Sequence, residues 1–196
     1  MNDFNIYAFS GKIGSGKDFV ATQIFPEFIP TRNQLVMAFS DHFKIDAIAK
    51  YNLDRNRVFG SNKDAYTRQI LQKLGTEEGR DVYGEDHWCN ILNEKILMYR
   101  NRGVESFIIT DLRFLNEFSL IKSLGGCTVR IEAPERTNER VMAEANGNEE
   151  QAKGILQHRS ETELDSHLSE FDIVLHNEKT DNVAEQLSRH FGLDTD

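Results

Sequence analysis

The stretch Phe4-Asn5-Ile6-Tyr7-Ala8-Phe9-Ser10-Gly11-Lys12-Ile13-Gly14-Ser15-Gly16-Lys17-Asp18-Phe19-Val20 constrains this chain more than any other. It opens on alternating apolar residues, passes through three glycines and enters a helical pattern carried by Phe19, Val20 and Ile24. The order is strand, loop, helix. Gly11 to Lys17 follow the spacing G-x-x-x-x-G-K. Glycines suit such a loop because successive amides can turn inward around phosphate oxygens only where φ is free to be positive. The helix that follows adds free N–H groups and the positive end of its dipole, and Lys17 adds a mobile charge able to follow a phosphoryl group in transit. Gly11, Lys12, Gly14, Ser15, Gly16, Lys17 and Asp18 are the candidate phosphate contacts. Asp18 stands where Ser or Thr usually ligates magnesium. A carboxylate there is tolerable if a cation lies between it and the phosphates, or if it turns to hold the loop.

The rest of the chain alternates strands with helices. Phe25-Pro26 through Pro30 reads as a break, and Leu35 to Phe39 as a second strand, apolar enough to be covered on both faces. Ser40-Asp41 caps a helix over about 42–51, and 52–63 is polar and rich in turns. Two amphipathic helices follow, 63–76 ending at Gly75 and 85–102 carrying Trp88, Ile91, Leu92, Ile96 and Leu97. Ser106 to Thr110 is the third strand, and a helix over 114–124 is closed by Gly125-Gly126. Cys127 to Ile131 is the fourth strand. A charged helical segment over 134–158, a fifth strand at Asp172 to Leu175 and a helix to about Phe191 complete the order. This predicts an α/β fold, a doubly wound and mostly parallel five-stranded sheet in one domain. Function in such folds sits at the carboxyl ends of the strands.

Several residues at those ends suit phosphate chemistry. Arg68, Gln72 and Thr76 recur at i,i+4 opposite the apolar stripe, with Arg80 just beyond, and a phosphate acceptor needs a forked cation that can hold two oxygens. Asp111 follows the third strand directly and can orient magnesium, while Arg113 can reach substrate or phosphate. Asn116 and Glu117 lie in the first turn of the next helix and can satisfy its amino end. Arg136 and Arg140, one helical turn apart, could close over phosphates from a lid. His158, Ser160 and Glu161 form the last polar cluster, suited to a base or sugar. Asn62-Lys63-Asp64 imitates a guanine-reading Asn-Lys-x-Asp without its spacer, and counts as chance.

The formal charge of −9 argues against a nucleic-acid surface, which demands clustered Lys and Arg. Cys89 and Cys127 are too few for a disulfide framework or a zinc site. No apolar run approaches a membrane span and the first strand begins almost at once, so a cytoplasmic protein with reduced thiols is expected.

Together Ser10-Gly11, Ser15-Gly16-Lys17-Asp18, Arg68, Leu71-Gln72, Leu74-Gly75-Thr76, Arg80, Asp111-x-Arg113, Glu117 and His158-x-Ser160-Glu161 resemble phage-type deoxynucleoside monophosphate kinases, over nearly the whole chain. The sequence is also similar to animal-type phosphomevalonate kinases, which share the fold and the Asp after the loop lysine. The resemblance implies a P-loop kinase with a helical acceptor-binding insertion at about 52–104 and a lid at about 134–158. It implies ATP as phosphate donor, Mg²⁺ held at Asp18 and Asp111, and a small monophosphate acceptor. Lys17, Arg68, Asp111 and Arg113 take the catalytic positions. Arg136 and Arg140 join the loop on the ATP side, and Arg68, Gln72, Thr76, Arg80, Arg113, Glu117, His158 and Glu161 fall on the substrate side. Ile13 and Gly14 stand where both groups carry basic residues, so compensating charge falls to Lys12 or the lid arginines. Leu112 replaces the usual Thr of Asp-Thr-Arg. Alternatives are a kinase of another small phosphate or of a modified base in DNA, and a nucleotide-dependent regulatory NTPase. Base and sugar preference and oligomeric state, a homodimer included, stay open.

Overall fold

A strand covered on both faces needs apolar side chains at successive positions, and Phe107-Ile108-Ile109 meets that demand with all three fully buried. These residues belong to β3 (Ser106–Ile109), which lies between β2 (Gln34–Met37) and β1 (Asn5–Gly11). On the other side of β1 come β4 (Cys127–Glu132) and β5 (Ile173–His176), giving a five-stranded sheet in the order β2-β3-β1-β4-β5. Every pairing is parallel, with Ala8 beside Ile109 and Gly11 beside Ile131. The computed structural model describes residues 5–29, 31, 33–60 and 63–193. Phe4, Pro30 and Asn62, which entered the sequence reading, lie outside them.

The helical segments are α1 (Lys17–Phe19, continuing through Val20–Ile24 and Phe25–Phe28), α2 (Asp41–Tyr51), α3 (Arg55–Phe59), α4 (Ala65–Gly75), α5 (Asp81–Tyr83), α6 (His87–Arg100), α7 (Leu115–Ser123), α8 (Pro134–Glu144), α9 (Glu149–Leu156), α10 (Arg159–Thr162) and α11 (Val183–Phe191). The chain divides into two compact units, Met1–Met37 with Arg102–Asp196, and Ala38–Asn101.

In the first unit, Phe9, Val129, Ile131, Ile173 and Leu175 on the sheet meet Val20, Ala21 and Phe25 of the α1 segment and Leu187 of α11. Phe25 is the hinge of this packing, edge-on to Tyr7 at 4.8 Å and to Phe9 at 4.9 Å. By two-residue alternation Ile6 points to the opposite face from Phe9, and there α7 packs on β4 with Phe118 and Ile121 buried. Because β1 is central, the chain first winds out to β2 and back to β3, then crosses to β4. The carboxyl end of β1 is thus the switch point of a doubly wound sheet.

Two expectations need correction. β2 is an edge strand, paired among the described residues with β3 alone, and it is not covered on both faces: Leu35 is half-buried and Val36 is 45% exposed. Gly75 is the last residue of α4, as expected, but it does not break the chain out of helical geometry. Its backbone is helical at φ −72°, ψ −31°, and the chain continues through a wide turn over Thr76–Arg80 into α5. The reason lies in packing: the Gly75 carbonyl accepts a hydrogen bond from Trp88 Nε1 at 2.7 Å, and a Cβ on Gly79 would collide with the Trp88 ring. Second, 134–158 is two helices, α8 and α9, divided where Asn148 caps α9 through the amides of Glu150 and Gln151. The turn-rich stretch 52–63 also holds the short helix α3, capped by Asp54.

The second unit has its own small core of Ala47, Val58, Ile70, Leu71 and Leu74, with Phe43 against it. No helix among the described residues is long and apolar enough to cross a membrane.

Truncating Phe25 to Ala removes two edge-on aromatic contacts and opens a cavity at the centre of the first unit. A loss of about 3–5 kcal/mol is expected, read as a lowered urea midpoint with the slope unchanged.

Candidate active site

After Gly11 the chain must leave a parallel strand and start a helix within a few residues. Gly14 and Gly16 make this possible at φ 79° and 80°, angles that L side chains rarely adopt. Space adds a second constraint. A Cβ on Gly14 would stand 2.5 Å from the Cβ of Arg140, and one on Gly16 would collide with the side-chain amide of Asn177. The loop is therefore clamped between α8 and the end of β5. Ile13 turns its side chain into a cluster with Val141 of α8, Ala145 just after it and Ala152 of α9. An apolar residue here packs α8 and α9 onto the loop.

Lys17 opens α1 and is only 7% exposed. Burial lowers its pKa, as does the nearby charge of Arg113, while Asp18, Glu161 and Asp111 work in the opposite direction. Asp18 lies at 3.9 Å with its carboxylate largely in solvent. The Ser15 hydroxyl, 1% exposed, has no hydrogen-bond partner among the described residues.

Around this loop the strand ends converge a set of charges. Glu161 of α10 accepts from the Ile13 N–H at 2.7 Å through one oxygen and from the Arg113 guanidinium at 2.5 Å through the other. A carboxylate thus sits against a loop amide that an anion would otherwise take. Burial disfavours the Arg113 charge, but Glu161 and then Asp111 more than offset it, holding the guanidinium more firmly protonated than usual. Ser160 Oγ lies 3.5 Å from Arg113 and 2.8 Å from His158 Nδ1. Lys12 pairs with Asp165 at 2.7 Å, and the other oxygen of Asp165 accepts from Arg130 at 2.9 Å. Arg130, 4% exposed, also reaches Glu132 at 2.6 Å and Ser10 Oγ at 3.2 Å. Ser10, Lys12, Arg113, Arg130 and Glu161 line one cleft.

On the opposite flank Arg136 donates to the carbonyl and side-chain oxygens of Asn177 at 3.2 and 3.4 Å. The first amides of α8, at Glu135 and Arg136, are satisfied by the Glu178 carboxylate at 2.7 and 3.3 Å. Arg140 pairs with Glu144 on its own helix at 2.8 Å.

The structure brings Lys12, Lys17, Asp18, Asp111, Arg113, Arg136, Arg140, His158 and Glu161 around the loop in the first unit. Glu117 serves a different purpose: it is 2% exposed, and its carboxylate accepts from the amides of Arg113 at 2.9 Å and Phe114 at 3.2 Å, capping α7 and fixing the backbone that carries Arg113. Arg68, Gln72, Thr76 and Arg80 belong to the second unit, the first three exposed and Arg80 half-buried, with Arg68 Nε donating to the Lys63 carbonyl at 3.3 Å. Leu112 is fully buried and its N–H donates to the Phe9 carbonyl at 3.0 Å, so the residue between Asp111 and Arg113 is a packing position.

Sequence reasoning missed Arg130, Asp165 and Asn177. Arg130 carries a signal, a charge inside an apolar strand between Val129 and Ile131. Asn177 could have been found by the strand-end rule, since it directly follows β5. Asp165 has none.

A parallel sheet wound in this order, with a glycine loop and buried lysine at its switch point, defines the P-loop kinase fold. Two solved structures agree over the full chain, TT1252 from Thermus thermophilus (TM-score 0.52, 21% identity, 97% of this chain and 96% of that one) and dephospho-CoA kinase from Campylobacter jejuni (TM-score 0.52, 14% identity, 96% of each). The sequence model of the deoxynucleotide monophosphate kinase family matches residues 27–180, and the chain belongs to that family. A protein of Acanthamoeba polyphaga mimivirus, provisionally named a deoxynucleotide monophosphate kinase, is 27% identical over 190 residues, covering 87% of this chain and 86% of its own. The matched stretch begins after the glycine loop, so the loop rests on its own geometry.

The Lys17 shift has a pH signature. Its folded pKa lies below its ordinary value near 10.5, so between the two the unfolded chain binds more protons and stability rises with pH. Urea titrations should show wild type gaining on Lys17→Met across that alkaline window. A parallel course of the two would show Lys17 to be unperturbed.

Proposed function

We propose that this protein transfers the γ-phosphate of ATP to a deoxynucleoside monophosphate, making the diphosphate. The observation that carries the reading is the convergence of the glycine loop, buried Lys17 and the Arg113 guanidinium at the end of the central strand, within a chain of the deoxynucleotide monophosphate kinase family. Loop amides and Lys17 hold the donor's β and γ phosphates, and the orphaned Ser15 hydroxyl gives them one more donor. Arg136 and Arg140, on the helix clamped over Gly14 and Gly16, lie on the ATP side. Arg113 neutralises charge as the acceptor oxygen attacks in line. Arg68, Gln72, Thr76 and Arg80 recognise the acceptor.

Among the described residues no three metal-ligating side chains gather. Mg²⁺ needs fewer, because it keeps waters and takes phosphate oxygens beside one or two carboxylates. Asp18, exposed, and Asp111, half-buried, are hard oxygen donors that both act on Lys17, and they fit that role. Bound there, the ion would neutralise charge on the transferring phosphate. No general base is required, since a phosphate monoester is already largely ionised near neutral pH.

A coupled assay with each common dNMP and NMP tests the reading, and no diphosphate from any of them would refute it. Arg113→Lys keeps the charge but loses the fork, and should lower kcat/KM about a hundredfold, ~2.7 kcal/mol of transition-state stabilisation.

A further inference from the structure

A peptide group points its carbonyl and its N–H in opposite directions. Whatever holds a loop carbonyl outward therefore turns the next amide inward. At the Ser15–Gly16 peptide that holder is Asn177, whose Nδ2 donates to the Ser15 carbonyl at 2.7 Å across 162 residues of sequence. We infer that Asn177 is a positioning residue for phosphate binding, fixing this peptide so that the Gly16 N–H faces the loop's concave side.

Four observations support it. Asn177 is 8% exposed, and a buried amide is seldom left to chance. Its orientation is determined by its neighbours: Oδ1 faces the Arg136 guanidinium at 3.4 Å, so a flipped amide would set oxygen against the Ser15 carbonyl and NH₂ against a cation. Its own backbone is anchored, the Asn177 N–H donating to the Glu132 carbonyl at 2.9 Å, which ties it to the end of β4. Finally, its amide occupies the space that any side chain on Gly16 would need. Sheet, Asn177 and loop thus form one rigid bracket, and Asn177 acts on the anion through Gly16.

The inference rests on the reading that the loop binds phosphates, and the experiment separates the two. Isothermal titration of the full chain with inorganic tripolyphosphate, and separately with an unreactive ATP analogue, both with magnesium, would compare wild type with Asn177→Asp. The carboxylate keeps the shape but cannot donate to the carbonyl, so both ligands should bind about tenfold more weakly or worse, with KM for the monophosphate acceptor unchanged. Weakening of the ATP analogue alone would mean that Asn177 touches the nucleoside, and would overturn the inference. So would unchanged affinities accompanied only by a lower melting temperature. Failure of wild type to bind tripolyphosphate would refute the loop reading itself. If the Asp variant does not fold, Asn177→Ala should show the same paired loss, and the Gly16 amide resonance of wild type should move on adding tripolyphosphate. A Gly16 amide that stays in place would also overturn the inference.

Discussion

A lysine ammonium taken out of water is among the costlier things a fold can contain, and Lys17 is nearly fully buried at the start of α1. Much of the first unit can be understood as the surroundings that make this tolerable. Asp18 comes from the same turn, Asp111 from the end of β3 and Glu161 from α10. Asp18 stands at 3.9 Å from the ammonium with its carboxylate largely in solvent.

The same economy of contacts governs the loop itself. Glycine at 14 and 16 permits the backbone angles, but permission is not preference, and a free glycine loop would sample many shapes. Order comes from outside: α8 presses on Gly14, Asn177 grips the Ser15 carbonyl, and Ile13 inserts its side chain among Val141, Ala145 and Ala152. Glu161, bonded to both the Ile13 amide and Arg113, ties the remaining side. Helices α8 to α10 and the end of β5 thus share one job, holding a loop that has no secondary structure of its own.

How much of this could be read beforehand depends on how local the cause is. The strand–loop–helix, the five strands and the helices α6, α7 and α11 follow from periodicity and glycine placement within a few residues. The α4 boundary at Gly75 is legible in the same way, but the wide turn that follows it over Thr76–Arg80 is not, since there Trp88, 13 residues on, uses the Gly75 carbonyl. The exposure of Val36 was misread for a related reason, since a short apolar strand looks the same at the centre of a sheet and at its edge. Glu117 was assigned to substrate by resemblance, yet its carboxylate is spent on the amides of Arg113 and Phe114.

By itself the sequence determined the α/β class, the strand–glycine loop–helix at Gly11 to Lys17 and the residue types able to handle phosphate, because each depends on neighbours a turn or a strand away. Only the tertiary structure decided that Asn177 meets Ser15, that Glu161 meets Ile13 and Arg113, and that Asp165 bridges Lys12 and Arg130. Those partners lie between 35 and 162 residues apart. They meet because the sheet winds outward from β1 and back across it, bringing distant strand ends to a common edge, and no local pattern in the chain encodes which of them will touch.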